Sequence, residues 1–136
     1  MSVIKNTSLL GRWQILEKDP LIICDSAHNE DGIKEVVKQL DSLEYEKLHF
    51  IFGIVNDKNI ENILTLLPKD AIYYFCEANI PRSLEKETLQ SKSEKYGLSG
   101  EVYNSISQAL QTAKKNAEKE DCIFVGGSTF VVAEII

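Results

Sequence analysis

An α/β domain of three layers, built on a six-stranded, mostly parallel sheet with one antiparallel edge strand, is the fold this sequence predicts. Three observations carry the prediction. Short β-like runs alternate with segments whose apolar residues recur every three and four positions, the pattern of strands joined by helical crossovers. One run, Leu48-His49-Phe50-Ile51-Phe52-Gly53-Ile54-Val55, is apolar almost throughout, as suits a central strand buried on both faces. Finally, 136 residues with 43% hydrophobic and 26% charged side chains fit one domain of ordinary size and composition, so residues 1–136 read as a single unit.

Taken in order, the runs 12–17 and 21–24 are split by Lys18-Asp19-Pro20, a turn sequence that makes them a hairpin and puts the first strand antiparallel at an edge. Ile33, Val36, Val37, Leu40 and Leu43 mark one face of the next helix, with Asn29 or Asp31 as its cap. The central strand 48–55 follows. A helix over 57–67 uses Ile60, Ile63, Leu64 and Leu67 and stops at Pro68, before a strand at 71–76. A charged helix at 84–96 ends at Gly97, and a short strand covers 101–103. Ile106, Ala109, Leu110, Ala113 and Ala117 define the fourth helix, and the last strand, 122–125, runs through Gly126-Gly127-Ser128 into a helix reaching Ile136.

Composition excludes several classes of function. The formal net charge is −6 and the basic residues are scattered, Lys114-Lys115 being the one adjacent pair, on a solvated helix face. Nucleic acid and anionic membrane both ask for a clustered basic surface, so neither is an expected partner. No stretch approaches the ~20 apolar residues that span a bilayer, and a cytoplasmic location is expected. Cys24, Cys76 and Cys122 each lie in an apolar run and read as buried free thiols. With no Cys-x-x-Cys spacing and two histidines, no metal site is expected.

In an open parallel sheet, ligands bind at the carboxyl ends of the strands near the switch in strand order. Four segments place polar residues there: 25–29, 53–58, 77–82 and 126–128. In Asp25-Ser26-Ala27-His28-Asn29 a carboxylate, an imidazole and an amide meet a helix start, where a carboxylate can accept hydrogen bonds from ribose hydroxyls. In the alternative reading, Asp25 or Asn29 serves only as a cap and His28 is a surface residue. Gly126-Gly127-Ser128 lets the backbone approach a ligand and offers the Ser128 hydroxyl to a carboxylate or phosphate, or is a plain turn with a cap. Arg12, after Gly11, carries a guanidinium suited to a phosphate, or is a surface arginine. Asp57-Lys58 and Pro81-Arg82 are open in the same way. No G-x-G-x-x-G fingerprint and no G-x-x-x-x-G-K-[ST] phosphate loop is present, so autonomous phosphoryl transfer is not supported. Nor does a nucleophile elbow accompany His28, which argues against covalent hydrolase chemistry.

In this order the segments resemble a known family. Gly11-Arg12 is similar to its G-R element, Asp25-Ser26-Ala27-His28-Asn29 to its D-x-A-H-N, and Gly53-Ile54-Val55-Asn56-Asp57-Lys58-Asn59 to its G-x-x-x-D-K-D. Pro81-Arg82-Ser83 resembles its P-R-A, and Gly127-Ser128 with the apolar residues that follow resembles the opening of its last helix. That family is the C-terminal domain of folylpolyglutamate synthase/dihydrofolate synthase, in the Mur ligase superfamily, and the resemblance covers nearly the whole chain. It implies a Rossmann-like three-layer fold and an ATP-dependent amide ligase that joins L-glutamate to dihydropteroate or a folate through an acyl phosphate. By the same resemblance Arg12 and Asp25 bind ATP, at phosphates and ribose, and His28, the implied catalytic residue, lies with Ser128 near phosphate or the incoming glutamate. Mg2+ ligands and the phosphate loop are expected mainly from the family's N-terminal domain, the implied partner, without which the isolated domain is expected to be inactive.

Three positions depart from the family pattern: Glu30 replaces a proline, Asn59 an aspartate and Ser83 an alanine. The alternatives are another Mur-type ligase domain acting on a cell-wall precursor, and a stand-alone nucleotide-binding or receiver-like α/β module. The P-R-A-like element favours the folate branch. A receiver would need an acidic pair after the first parallel strand and a lysine after the last, where this chain has Asp25-Ser26 and Gly126-Gly127.

Overall fold

Alternating side chains on the central strands divide the interior in two. A computed structural model describes residues 13–56, 59–127 and 129–133. The strands are β1 (Gln14–Glu17), β2 (Leu21–Asp25), β3 (Leu48–Phe52), β4 (Ile72–Phe75), β5 (Gly100–Val102) and β6 (Cys122–Gly126). They form one sheet in the order β1-β2-β6-β3-β4-β5, antiparallel at the β1–β2 edge and parallel elsewhere. The predicted edge hairpin and central apolar strand are both present. β3 and β6 are buried along their whole length because they are covered on both faces.

The helices are α1 (Glu30–Asp41), α2 (Ile60–Leu66), α3 (Lys86–Glu94), α4 (Ile106–Asn116) and α5 (Thr129–Ala133). Phe50, Phe52, Tyr73, Phe75 and Phe124 point to one face and pack with Ile33, Val36 and Leu40 of α1, Ile60, Ile63 and Leu64 of α2 and Leu89 of α3. Their rings nest closely, with centroids 4.9 Å apart for Phe50 and Phe124 and 5.1 Å for Phe50 and Tyr73. Ile51, Tyr74, Ile123 and Val125 point the other way, toward Ile106, Ala109 and Ala113 of α4 and Val131 and Val132 of α5. The small alanines let α4 lie close to the sheet.

Helix ends follow local chemistry. Asn29 caps α1, its side chain accepting from the Gly32 N–H at 2.8 Å, which decides between the two candidate caps. Ser105 caps α4 in the same way. α3 closes with a Schellman motif, in which Gly97 at φ +82° donates to Glu94 O and the buried Leu98 donates to Ser93 O. The central strand is shorter than its apolar run. A Cβ on Gly53 would lie 2.7 Å from the Cys76 carbonyl, and past this close approach the chain leaves the ladder to bridge Val55 antiparallel to Ser83. The predicted starts of the first strand at Arg12 and of the second helix at Asp57, and the end of the last helix beyond Ala133, lie outside the described residues.

All three thiols are buried outside any disulfide, and Cys76 Sγ donates to Phe52 O at 3.7 Å. Burial first, then the Asp25 carboxylate, pushes Cys24 up to about 11, and burial with Asp121 pushes Cys122 up to about 12. Among the described residues no helix is long and apolar enough to cross a membrane.

Candidate functional site

Strand order locates the crevice. The chain steps from β2 to β3, β4 and β5 with α1, α2 and α3 on one face, then returns by α4 on the other to insert β6 between β2 and β3. A reversal of direction at constant crossover handedness requires that change of face. The helices that follow neighbouring strands β2 and β6 therefore diverge, and the carboxyl ends of these strands border the crevice. In register, Gly126 lies beside Asp25 on one flank and Phe52 on the other. Segments 25–29, 53–56 and 126–127 meet at this end.

The fourth segment joins them through the main chain. Asn56 N–H donates to Arg82 O at 2.8 Å and Leu84 N–H to Ile54 O at 2.9 Å, on either side of the Val55–Ser83 bridge. Ser83, where the family pattern has alanine, closes the loop by accepting the Ala78 N–H on its hydroxyl at 2.9 Å. Arg82 itself is exposed. Glu77 is a capping group, its carboxylate taking the Lys86 N–H at 3.0 Å where α3 begins.

Asp25 is 3% exposed and its carboxylate faces protein. One oxygen accepts the Ala27 N–H at 2.8 Å, and the other accepts the Trp13 N–H at 2.9 Å from across the hairpin. His28 lies exposed at the crevice rim, its Nδ1 3.3 Å from the Ser26 carbonyl. A carbonyl can only accept, so Nδ1 is the donor in this contact. A cavity of about 550 Å³ is lined by His28, Asn29, Glu30, Asp31, Asn59 and Ile63, between the starts of α1 and α2. A smaller one of about 210 Å³ adjoins it at Ser26, Ala27 and Gly32. Glu30, in place of the family proline, opens α1 and accepts from Asn62 of α2 at 3.3 Å. Glu30 and Asp31 make this helix start locally negative, which disfavours a phosphate there and favours an ammonium group.

Gly127, at φ +113°, is required by the protein itself. A Cβ there would lie 2.1 Å from the Gly53 carbonyl and 2.8 Å from the Phe52 ring, so the turn reading of this glycine is the one the packing supports. Arg12, Ser128, Asp57 and Lys58 lie outside the described residues. Among the described residues, no group of three or more His, Cys, Asp or Glu side chains could hold a metal ion. The link from Asp25 to Trp13 had no signal in the sequence. Nor did the pairing of the α1 and α2 starts, although Asn59 opens one helix as Asn29 opens the other.

Residues 11–129 match the Mur ligase, glutamate ligase domain. The chain belongs to that family. Among relatives of this Mur ligase domain, a probable bifunctional folylpolyglutamate synthase/dihydropteroate synthase of Haloferax volcanii is 33% identical over 96% of this chain and 16% of its own length. The dihydrofolate synthase/folylpolyglutamate synthase of Escherichia coli is 29% identical over 98% of this chain and 31% of its own. Escherichia coli FolC, solved with DHPP and ADP, superimposes with a TM-score of 0.85 at 28% identity, over 93% of this chain and 30% of that one. A bifunctional folylpolyglutamate synthase/dihydrofolate synthase with Mn, AMPPNP and L-glutamate bound superimposes at 0.81 and 25%, over 92% and 30%. This Mur ligase domain thus spans about a third or less of the relatives it matches.

Proposed function

We propose that this chain is the C-terminal domain of an ATP-dependent ligase that adds L-glutamate to dihydropteroate, to folates, or to both. The observation that carries the reading is the superposition, over nearly the whole chain, on folylpolyglutamate synthase/dihydrofolate synthase domains solved with ADP, AMPPNP or L-glutamate. The meeting of segments 25–29, 53–56, 81–84 and 126–127 at one end of the sheet supports it.

In the reaction, a carboxylate oxygen of the pterin substrate attacks the γ-phosphorus of ATP, breaking its bond to ADP. The glutamate amine then attacks the acyl phosphate carbon, and phosphate leaves as the amide forms. Arg12 and Asp25 serve the nucleotide, and His28 and Ser128 serve the phosphate or the glutamate. His28, exposed at the crevice rim, orients or deprotonates the incoming amine, while Glu30 and Asp31 attract its ammonium form from solution. Among the described residues no cluster of side chains could hold a Mg2+ ion. The Mg2+ ligands and the phosphate loop belong to a partner domain in the same protein, and the two domains act together in a cytoplasmic enzyme.

The test joins this chain to the phosphate-loop domain of its own protein and follows ADP release with dihydropteroate and then tetrahydrofolate. Turnover should require both glutamate and the pterin, and the better substrate identifies which glutamate is added. Turnover with a cell-wall precursor and none with a pterin would transfer the chain to another Mur-type branch.

A further inference from the structure

We propose that Arg82 is a specificity-determining residue of the ligase, which pairs with the side-chain carboxylate of the incoming glutamate while the amine points toward His28. This deepens the ligase reading and rests on it. Glutamate carries both signs of charge, so a site that selects it offers a cation as well as an anion. The start of α1 supplies the anion, through Glu30 and Asp31 on the wall of the cavity beside His28. Arg82 supplies the cation at the other side of the crevice. It is one of two arginines in the chain, and it is exposed. Among the described residues no carboxylate pairs with it, whereas nearby Lys86 lies 3.7 Å from Glu77 and 3.5 Å from Glu87. A guanidinium presents a planar fork of N–H donors that fits a carboxylate bidentately.

The fold sets the two charges at a usable distance. Neighbours run in the order β2-β6-β3-β4, with His28 beyond β2 and Arg82 beyond β4, and three strand spacings put the ends of β2 and β4 about 14 Å apart. An imidazole on one side and an extended arginine on the other narrow that gap to the length of an amino acid. The strands between them end without side chains. β6 ends at Gly126 and continues to Gly127, β3 continues to Gly53, and a Cβ on Gly127 would lie 2.1 Å from the Gly53 carbonyl. The floor between His28 and Arg82 is therefore main chain. Arg82 itself stands on a backbone tied from several directions. Asn56 N–H donates to its carbonyl at 2.8 Å, Ser83 bridges Val55 and takes the Ala78 N–H at 2.9 Å, and Leu84 N–H reaches Ile54 O at 2.9 Å. The guanidinium thus swings from a fixed base. In glutamate the α-carboxylate is bonded to the carbon that bears the amine, so the group that reaches farthest from His28 is the side-chain carboxylate.

The assembled ligase tests the pairing with L-glutamate and L-glutamine, which differ in the charge of the side chain. Arg82→Ala should raise KM for glutamate roughly 10- to 100-fold, as loss of a charged hydrogen bond does, with kcat and the KM for ATP within about twofold of the parent. The preference for glutamate over glutamine, read as the ratio of kcat/KM, should fall by the same factor. The substitution keeps the main-chain bonds of residues 82–84, so a purely structural defect would raise the KM for ATP as well and leave the preference intact. Either result would overturn the proposal. In the unaltered assembled protein the Arg82 Nε–H resonance should shift on addition of glutamate and stay in place with glutamine, and equal shifts with both, or none with either, would also overturn it. A shift with glutamate alone in an assembled protein without ligase turnover would uphold the contact and overturn the ligase reading. Turnover that keeps its full preference in Arg82→Ala would do the reverse, so the two fail separately.

Discussion

His28 and His49, the two histidines of the chain, occupy opposite ends of the strands and opposite environments. His28 is exposed beyond the carboxyl end of β2, with its Nδ1 3.3 Å from the Ser26 carbonyl. His49, near the amino end of β3, is 1% exposed and bonded at both ring nitrogens. Its Nε2 lies 2.9 Å from Asp121 and its Nδ1 2.8 Å from the Tyr74 hydroxyl, which also accepts from Asn116 at 3.2 Å. The carboxylate can only accept, so Nε2–H donates to Asp121, while Nδ1 pairs with the Tyr74 hydroxyl. Asp121 further accepts the Lys47 and Glu118 N–H groups. One end of the sheet thus has its polar groups satisfied internally, whereas at the other an exposed imidazole borders the crevice. The same residue type is locked into the packing in one place and lies open to solvent in the other, and burial with a full set of partners separates the two.

Substitutions can break or sharpen this contrast. The largest effect is expected from Asp121→Ala, which strands the buried His49 donor and two part-buried main-chain N–H groups and should cost about 3–5 kcal/mol in denaturant unfolding. Burial alone would raise the Asp121 carboxyl, but the bonds from Glu118, His49 and Lys47 outweigh it and hold the group below its ordinary value of 3.8. A carboxyl lowered in the folded state contributes fully above that value, and its contribution is lost as pH falls through the lower folded value. Stability measured from pH 6 down to pH 2 should therefore fall less steeply in Asp121→Asn than in the parent. An acid limb unchanged by the substitution would deny Asp121 this role.

Next in size is Gly127→Ala at the crevice, where positive φ and the 2.1 Å approach to Gly53 O act together. A loss of about 2–4 kcal/mol is expected in thermal or urea melts. A neutral result would mean that this turn can open and that the glycine serves a ligand instead. His28→Ala should have the smallest effect on stability, within about 0.5 kcal/mol, yet lower turnover of the assembled ligase by roughly 100-fold. If unfolding and turnover changed together there, the contrast between the histidines would not hold.

Much of the fold was legible because it is written in local pattern. The nearly unbroken apolar runs of β3, β4 and β6 and the three-and-four spacing of α1 and α4 report which side chains are buried, and the Lys18-Asp19-Pro20 turn placed β1 at an edge. Local pattern was less able to choose between Asn29 and Asp31 as a cap, since both can accept from a helix start. It also hid Glu77 as the cap of α3, nine residues ahead in sequence, and made His49 look like one more member of an apolar strand.

The sequence by itself determined the order and type of the elements, the apolar faces and the four polar segments at strand ends, all properties of neighbours along the chain. Only the tertiary structure decided that Asp25 holds Trp13 across the hairpin, that residues 54–56 zip to 82–84, and that His49 meets Asp121 from 72 positions away. Those pairings depend on the insertion of β6 between β2 and β3. Periodicity records whether a side chain is buried, while its hydrogen-bond partner is set by which strands become neighbours, and that is a property of the whole sheet.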